Sequence, residues 1–270
     1  MPKVAAVQMA SGPNVNANLL EAERLLAMAA AHGAELAVLP ENFAMMGMTE
    51  FDKVAIREVP GKGQLQEFLA QQALRHHIWL VGGTIPLVAE HDNKVRAACL
   101  LFSPDGRPVA RYDKIHLFDV SLREGAEYYD ESQTIEPGQQ VVVAATPLGS
   151  IGLAVCYDLR FPEQFRAMLS QDVQIIVVPS AFTAITGRAH WESLLRARAI
   201  ENLCFVIAAA QGGYHVNGRE THGDSMIIDP WGVILDRLPR GSGVVIADIN
   251  IHDLHKIRQS FPALAHRRDL

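Results

Sequence analysis

Gly152-Leu153-Ala154-Val155-Cys156-Tyr157-Asp158-Leu159-Arg160-Phe161-Pro162-Glu163 is the stretch on which the fold turns. The apolar run at its start, ended by a polar string, reads as a buried strand, and Phe161-Pro162-Glu163 reads as the mouth of a helix. Cys156 sits at the corner between them, at the carboxyl edge of a sheet, where open α/β folds place their ligands. Helical N–H groups at such a corner can hold a thiol as thiolate. The alternative for any cysteine is a small buried hydrophobe. Cys99, in Ala98-Cys99-Leu100-Leu101, and Cys204, in Leu203-Cys204-Phe205-Val206, fit that alternative. Only Cys156 has the flanks of a reactive thiol.

Outward from this corner, strands are predicted at 141–146, 150–155 and 175–178, with a helix from Glu163 to about Leu169 between the last two. A longer helix is predicted over about His190–Glu201, with Glu192 and Arg196 paired one turn apart. Strands at 203–210, 225–228, 233–236 and 244–249 follow, Asp229-Pro230-Trp231-Gly232 joining two of them as a hairpin turn. Asn250 caps a last helix to about Ser260, and Phe261–Leu270 reads as an extended tail. The first half has the same rhythm: a strand over 4–9, a helix over about 18–31 stopped by Gly33, a strand over 35–39 and a helix over 64–76. Strands at 78–85, 95–102 and 108–114 come next, the last two closed into a hairpin by Ser103-Pro104-Asp105-Gly106. Each half has a strand ending in Pro-x-x-Phe, at Pro40–Phe43 and at Pro179–Phe182, a trace of internal repetition. Roughly a dozen short strands and about five helices suit an α/β protein with two stacked sheets covered by helices, a four-layer α-β-β-α sandwich.

Of the 270 residues, 49% are hydrophobic and 20% charged, which predicts a large core, and no linker-like segment divides residues 1–270 into separate domains. The net charge of −6 argues against nucleic acid as a partner. Three cysteines without the spacing of a disulfide framework or a zinc site suggest a reducing cytoplasm. Met1-Pro2-Lys3-Val4 leads directly into a strand, so no signal peptide is expected, and no run approaches the ~18 apolar residues of a membrane span. His252 and His255 have no third ligand at suitable spacing, so no metal is expected.

Two further residues carry chemistry. Glu41 follows Val38-Leu39-Pro40 and has Phe43, Met45 and Met46 beside it. A carboxylate is ordinarily a solvated surface group, but apolar neighbours on both sides suit a general base. Lys114 ends the strand Val109–Asp113 and precedes Ile115, Leu117 and Phe118. It is either a solvated head on a flexible stem or, pointed into a cleft, a cation that steadies an oxyanion and lowers a thiol's pKa.

Taken together, Leu39-Pro40-Glu41-Asn42-Phe43, Arg111-Tyr112-Asp113-Lys114-Ile115-His116-Leu117 and Gly152–Glu163 resemble the signatures of the nitrilase, or carbon–nitrogen hydrolase, superfamily. The resemblance covers essentially the whole chain, and Thr186–Glu192 and Arg196–Glu201 place it nearest an amidase branch. It implies the four-layer sandwich, no metal or organic cofactor, homodimers, and hydrolysis of a small carboxylated amide through a thioester. By the same resemblance Cys156 is the nucleophile, Glu41 the general base, Lys114 the oxyanion-binding cation together with the Tyr157 N–H, and Glu131 a second glutamate near the thiol. Arg160 matches a position that contacts a substrate carboxylate in some relatives; its alternative is a structural ion pair. Phe182, Thr183 and His190 are candidate substrate contacts, and His116 and His190 are each either a residue lining the site or a hydrogen-bonded structural histidine. The rival functions are a nitrilase and a catalytically idle binding relative. Within the amidase branch the acyl half derives from 2-oxoglutarate, and the leaving group is either a dipeptide or ammonia. The Thr186–Trp191 string and Arg219-Glu220-Thr221 resemble the dipeptide-releasing enzymes.

Overall fold

The structure, a computed structural model, describes residues 1–122 and 127–268. In the first half, β1 (Lys3–Gln8), α1 (Val15–Ala31), β2 (Ala34–Val38), α2 (Asp52–Ala55), α3 (Gln64–His76) and β3 (Trp79–Val81) are followed by β4 (Ile85–Val88), β5 (Val95–Phe102) and β6 (Pro108–Asp113). A small pair, β7 (Asp119–Leu122) and β8 (Glu127–Asp130), precedes β9 (Val142–Thr146) and β10 (Gly149–Leu153). Then come α4 (Pro162–Met168), β11 (Ile175–Val177), α5 (Ala184–Asn202), β12 (Phe205–Ala208), the hairpin β13 (Gly212–Tyr214) and β14 (Glu220–His222), β15 (Ser225–Ile228), β16 (Ile234–Leu238), β17 (Gly243–Asp248) and α6 (Ile251–Ser260).

Two sheets result. One runs β17-β1-β2-β3-β5-β4 with β6 on β5, the other β16-β15-β12-β11-β10-β9. Alternation of side chains along β1 shows how they stack. Val4 and Ala6 join Ile151, Leu153, Ile207 and Ile227 in the core between the sheets, while Ala5 and Val7 pack outward with Leu25 and Leu26 of α1 and Leu69 of α3. Helices α4, α5 and α6 cover the second sheet through Phe165, Trp191, Leu195 and Leu254. This is the expected α-β-β-α sandwich. The repetition is also visible in the topology, since β1, β2 and β3 pair in parallel, as do β10, β11 and β12.

Several boundaries differ from expectation for local reasons. The predicted strand 78–85 is two strands, because Gly82-Gly83-Thr84 carries the chain from one part of β5 to another. Gly83 has φ +57°, and a Cβ there would lie 2.1 Å from the Pro40 carbonyl oxygen, so only glycine lets this crossing lie against the end of β2. Helix α5 starts at Ala184 instead of His190, with Thr183 capping it by accepting from Thr186 N, and α1 is likewise capped early, by Asn14. The hairpins β7–β8 and β13–β14 have no counterpart among the predicted strands. The C-terminal segment is not extended as expected but turns, Ala265 N donating to Pro262 O at 3.0 Å and His266 N to Ala263 O at 3.3 Å, while Phe261 packs edge-on against Trp231 with ring centroids 5.6 Å apart; residues 269–270 of the expected tail lie outside the described residues. Among the described residues no helix is long and apolar enough to cross a membrane.

Candidate active site

Three strand ends converge at one edge of the sandwich. Glu41 lies just past β2, Lys114 follows β6, and Cys156 follows β10, so the two sheets together build the site. Glu41 and Cys156 line a small cavity together with Asn42, Glu131, Tyr157 and Arg160. Its remaining wall is Phe118, Ala181, Phe182, Thr183, Thr186 and Arg219.

Cys156 begins a short 3₁₀ turn over Cys156–Arg160 and has φ +48°. A left-handed backbone at a residue with a Cβ costs roughly 1–2 kcal/mol, and here it aims the thiol into the cavity rather than along the sheet. The turn is pinned on both sides. Cys156 N donates to Pro179 O at 2.9 Å, which ties it to the end of β11. Asp158, fully buried, accepts from Val155 N at 2.8 Å, Tyr112 OH at 2.6 Å, His116 N at 3.1 Å and, through the ring, His116 Nδ1 at 2.8 Å. That carboxylate therefore locks the thiol's turn to the segment that carries Lys114. His116 also stacks on Phe161 at 3.7 Å. It is the hydrogen-bonded structural histidine of the two alternatives and does not line the cavity.

Lys114 is fully buried, and its Nζ donates to Glu41 Oε1 at 2.8 Å and to both Glu131 oxygens at 2.9 and 2.7 Å. Glu131 Oε2 also accepts from Phe118 N at 2.8 Å. Burial alone would pull the ammonium's pKa down, but Glu131 and then Glu41 outweigh it and hold Lys114 well above the ordinary lysine value. Burial likewise pushes Glu131 up, and the Lys114 charge overrides this and holds it below the usual carboxylate range. Removing one partner from a buried ion cluster of this kind costs about 3–5 kcal/mol, because it strands a charge.

The thiol departs from expectation. Burial and then the charge of Glu41 raise the Cys156 pKa well above that of a free cysteine; Lys114 and the Ala181 N–H act in the opposite direction and do not prevail. A neutral thiol beside a carboxylate replaces the expected thiolate. Cys99 and Cys204 are fully buried in the core, as expected, and burial pushes Cys204 up to about 12.

Arg160 and Arg219 enter the cavity from different walls. The Arg160 guanidinium lies 5.7 Å from the Tyr157 ring centroid and 5.5 Å from that of Phe182, and its Nη1 is 3.3 Å from His190 Nδ1. No carboxylate among the described residues pairs with it, so the ion-pair alternative does not hold. His190 is exposed and stands behind Arg160 rather than on the cavity wall. Phe182 and Thr183 do line the cavity, and Thr183 also caps α5. The lining residues not singled out from sequence are Asn42, Phe118 and Ala181. Among the described residues no cluster of three or more His, Cys, Asp and Glu side chains is arranged to hold a metal.

A thiol with a carboxylate to receive its proton and a buried ammonium nearby is equipment for hydrolysis by acyl transfer. The chain belongs to the carbon–nitrogen hydrolase family, whose profile matches residues 3–259, and is accordingly a hydrolase of carbon–nitrogen bonds of the amidase kind. It is 45% identical over 266 residues to deaminated glutathione amidase from Synechocystis, covering 97% of each chain. Among solved structures it resembles the C. elegans NitFhit protein, with a TM-score of 0.89 and 33% identity over 99% of this chain and 65% of that one, so it spans just under two thirds of that protein's length. It also resembles Saccharomyces cerevisiae Nit3, a member of branch 10 of the nitrilase superfamily, with a TM-score of 0.88 and 30% identity over 99% of this chain and 97% of that chain.

Proposed function

We propose that this protein is a cysteine-dependent amidase that hydrolyses deaminated glutathione to 2-oxoglutarate and cysteinylglycine through a thioester on Cys156. The observation that carries the chemistry is Lys114 held between Glu41 and Glu131, at 2.8 Å and 2.7–2.9 Å, beside a neutral thiol. The substrate is supported by the similarity to the Synechocystis amidase.

In this reading the Cys156 sulfur attacks the amide carbon while its proton passes to Glu41, so no standing thiolate is needed. Negative charge gathers on the carbonyl oxygen, where Lys114 Nζ and the Tyr157 N–H receive it, the kind of stabilisation that usually contributes most. Glu41 then gives the proton to the amide nitrogen, the C–N bond breaks, and the leaving group departs as a neutral amine. Water attacks the thioester, Glu41 taking its proton, and collapse returns the proton to the sulfur. Glu131 keeps Lys114 charged and in place throughout. Arg160, backed by His190 and free of any carboxylate among the described residues, receives the carboxylate of the 2-oxoacyl half, against Phe182 and Thr183.

The test is to quench the enzyme during turnover of deaminated glutathione and to weigh it intact. A 2-oxoglutaryl adduct mapped to Cys156 is the expected result, and its absence during measurable turnover would overturn the mechanism. Comparing kcat/KM for deaminated glutathione and 2-oxoglutaramate tests the substrate, since a tenfold preference for the latter, about 1.4 kcal/mol, would make the enzyme an ω-amidase instead.

The whole chain acts as one catalytic unit in the cytoplasm, in keeping with three free cysteines. It works as a homodimer: Ile200, Trp231, Val233 and Phe261 are each 48–58% exposed on the face where the C-terminal segment meets the β15–β16 turn. Light scattering should find a dimer at micromolar concentration and a shift toward monomer on deleting residues 261–270.

A further inference from the structure

The second cation in the cavity, Arg219, has no role in the chemistry above. It stands at the β13–β14 hairpin, and its Nε is buried without any hydrogen-bond partner. Its Nη1 reaches only the Met46 sulfur at 3.7 Å, and the guanidinium lies 4.9 Å from the Tyr129 ring centroid. Among the described residues no carboxylate lies within ion-pairing distance of it. A guanidinium has five donors and is always charged, and a buried Nε–H left without a partner in a cavity wall is costly unless an acceptor arrives.

The hairpin that carries Arg219 is built against the Glu41 corner. His215 pairs with Ser11 O at 2.8 Å through its ring, Asn217 Nδ2 donates to Gly47 O at 2.7 Å, and Gln211 Nε2 donates to Glu41 O at 3.0 Å. Glu41 is the group that must protonate the departing nitrogen, so that nitrogen and its substituent face the Glu41 side of the cavity. Arg160, in contrast, belongs to the thiol's own turn. The two free guanidiniums thus bracket the reacting bond, one on the acyl side and one on the leaving-group side.

We propose that Arg219 is the specificity residue for the leaving group, binding the terminal carboxylate of the departing dipeptide by a charge-assisted, bidentate contact. The assignment rests on the proposed acyl-transfer reading and names the part of the substrate that reading leaves unplaced. An extended dipeptide spans roughly 7 Å from the scissile nitrogen to its carboxylate, so a cation on a separate hairpin, rather than one next to the thiol, is what such a leaving group requires. Ammonia as leaving group would give Arg219 nothing to hold.

The experiment compares two 2-oxoglutaryl amides, of cysteinylglycine and of cysteinylglycinamide, which differ only in that carboxylate. The wild-type enzyme should lose tenfold or more in kcat/KM with the glycinamide, and Arg219→Met should narrow that gap to less than threefold, with Arg219→Lys between. Equal discrimination by wild type and Arg219→Met would overturn the assignment. So would an absence of discrimination by the wild type, which needs no variant to fold. Turnover of 2-oxoglutaramate with neither dipeptide amide hydrolysed would overturn the substrate reading and this assignment with it, whereas hydrolysis of both without discrimination sinks the role of Arg219 alone.

Discussion

The corners that present Glu41 and Cys156 solve the same problem in different ways. Each follows an interior strand that has a parallel neighbour in its sheet, and each contains a residue with left-handed backbone: Asn42, φ +56°, beside the carboxylate, and Cys156 itself, φ +48°. At the first corner the strain falls on asparagine, which tolerates this region through its short polar side chain. Gly83 leaves room for the Pro40 carbonyl, and Thr84 Oγ1 accepts from Asn42 N at 2.9 Å. At the second corner the strain falls on the proposed nucleophile itself, and a buried carboxylate, Asp158, holds it there through four hydrogen bonds. The carboxylate is placed by a comfortable turn, and the thiol by a forced one.

The comparison can be broken most forcefully at the thiol. Cys156→Ala should lower kcat by about 10⁴-fold or more, as loss of a covalent step does, with a melting temperature close to that of the wild type. Activity retained within tenfold, measured by release of 2-oxo acid, would end the assignment. Glu41→Gln should cost about 10²–10⁴-fold, the range of general acid–base catalysis. The same change removes a negative charge that raises the thiol pKa, so the pH at which thiolate absorbance appears should move down from a starting point above the ordinary value of about 8.5. A wild-type thiol already ionised at pH 7, or an upward shift in Glu41→Gln, would contradict the balance of burial and charge around Cys156.

Smaller effects sharpen the contrast. Asp158→Asn deprives one pair of donors of its acceptor and should cost about 2–3 kcal/mol in chemical unfolding, while loosening the thiol's turn enough to slow turnover by roughly 10–100-fold. The expected destabilisation with an unchanged kcat would make Asp158 a mere core residue. Smallest of all are the backbone changes. Cys156→Gly should be more stable than Cys156→Ala by about 1 kcal/mol, since glycine relieves the left-handed strain. Asn42→Gly should stay within about 0.5 kcal/mol of wild type. Equal responses at the two corners would erase the distinction between them.

Much of this was legible in the sequence where one local signal sufficed. Strands β1, β2, β10 and β11 are largely apolar runs, and each of Glu41, Lys114 and Cys156 stands where a strand stops. The misses have physical causes. Glu127-Tyr128-Tyr129-Asp130 and Gly212-Gly213-Tyr214 lack the β-branched alternation by which a strand is recognised, and they form only because a partner strand lies opposite. The first turns of α5 contain Thr186 and Gly187, which are poor helix formers, and the Thr183 cap was the signal that could have marked its start. The raised thiol pKa and the unpaired guanidinium of Arg219 belong to relations across the fold. Met46 and Arg219 are 173 positions apart, and no local pattern could join them.

A thiol kept protonated until its substrate arrives has a bearing on how long the enzyme survives. Oxidants and stray electrophiles attack thiolates, and damage follows ionisation and exposure. Cys156 is only 8% exposed and is held neutral by burial and by the carboxylate that, in the proposed mechanism, accepts its proton. Under the proposed mechanism the nucleophile is thereby stored in its least vulnerable form, and its reactivity is confined to the moments when an amide occupies the cavity.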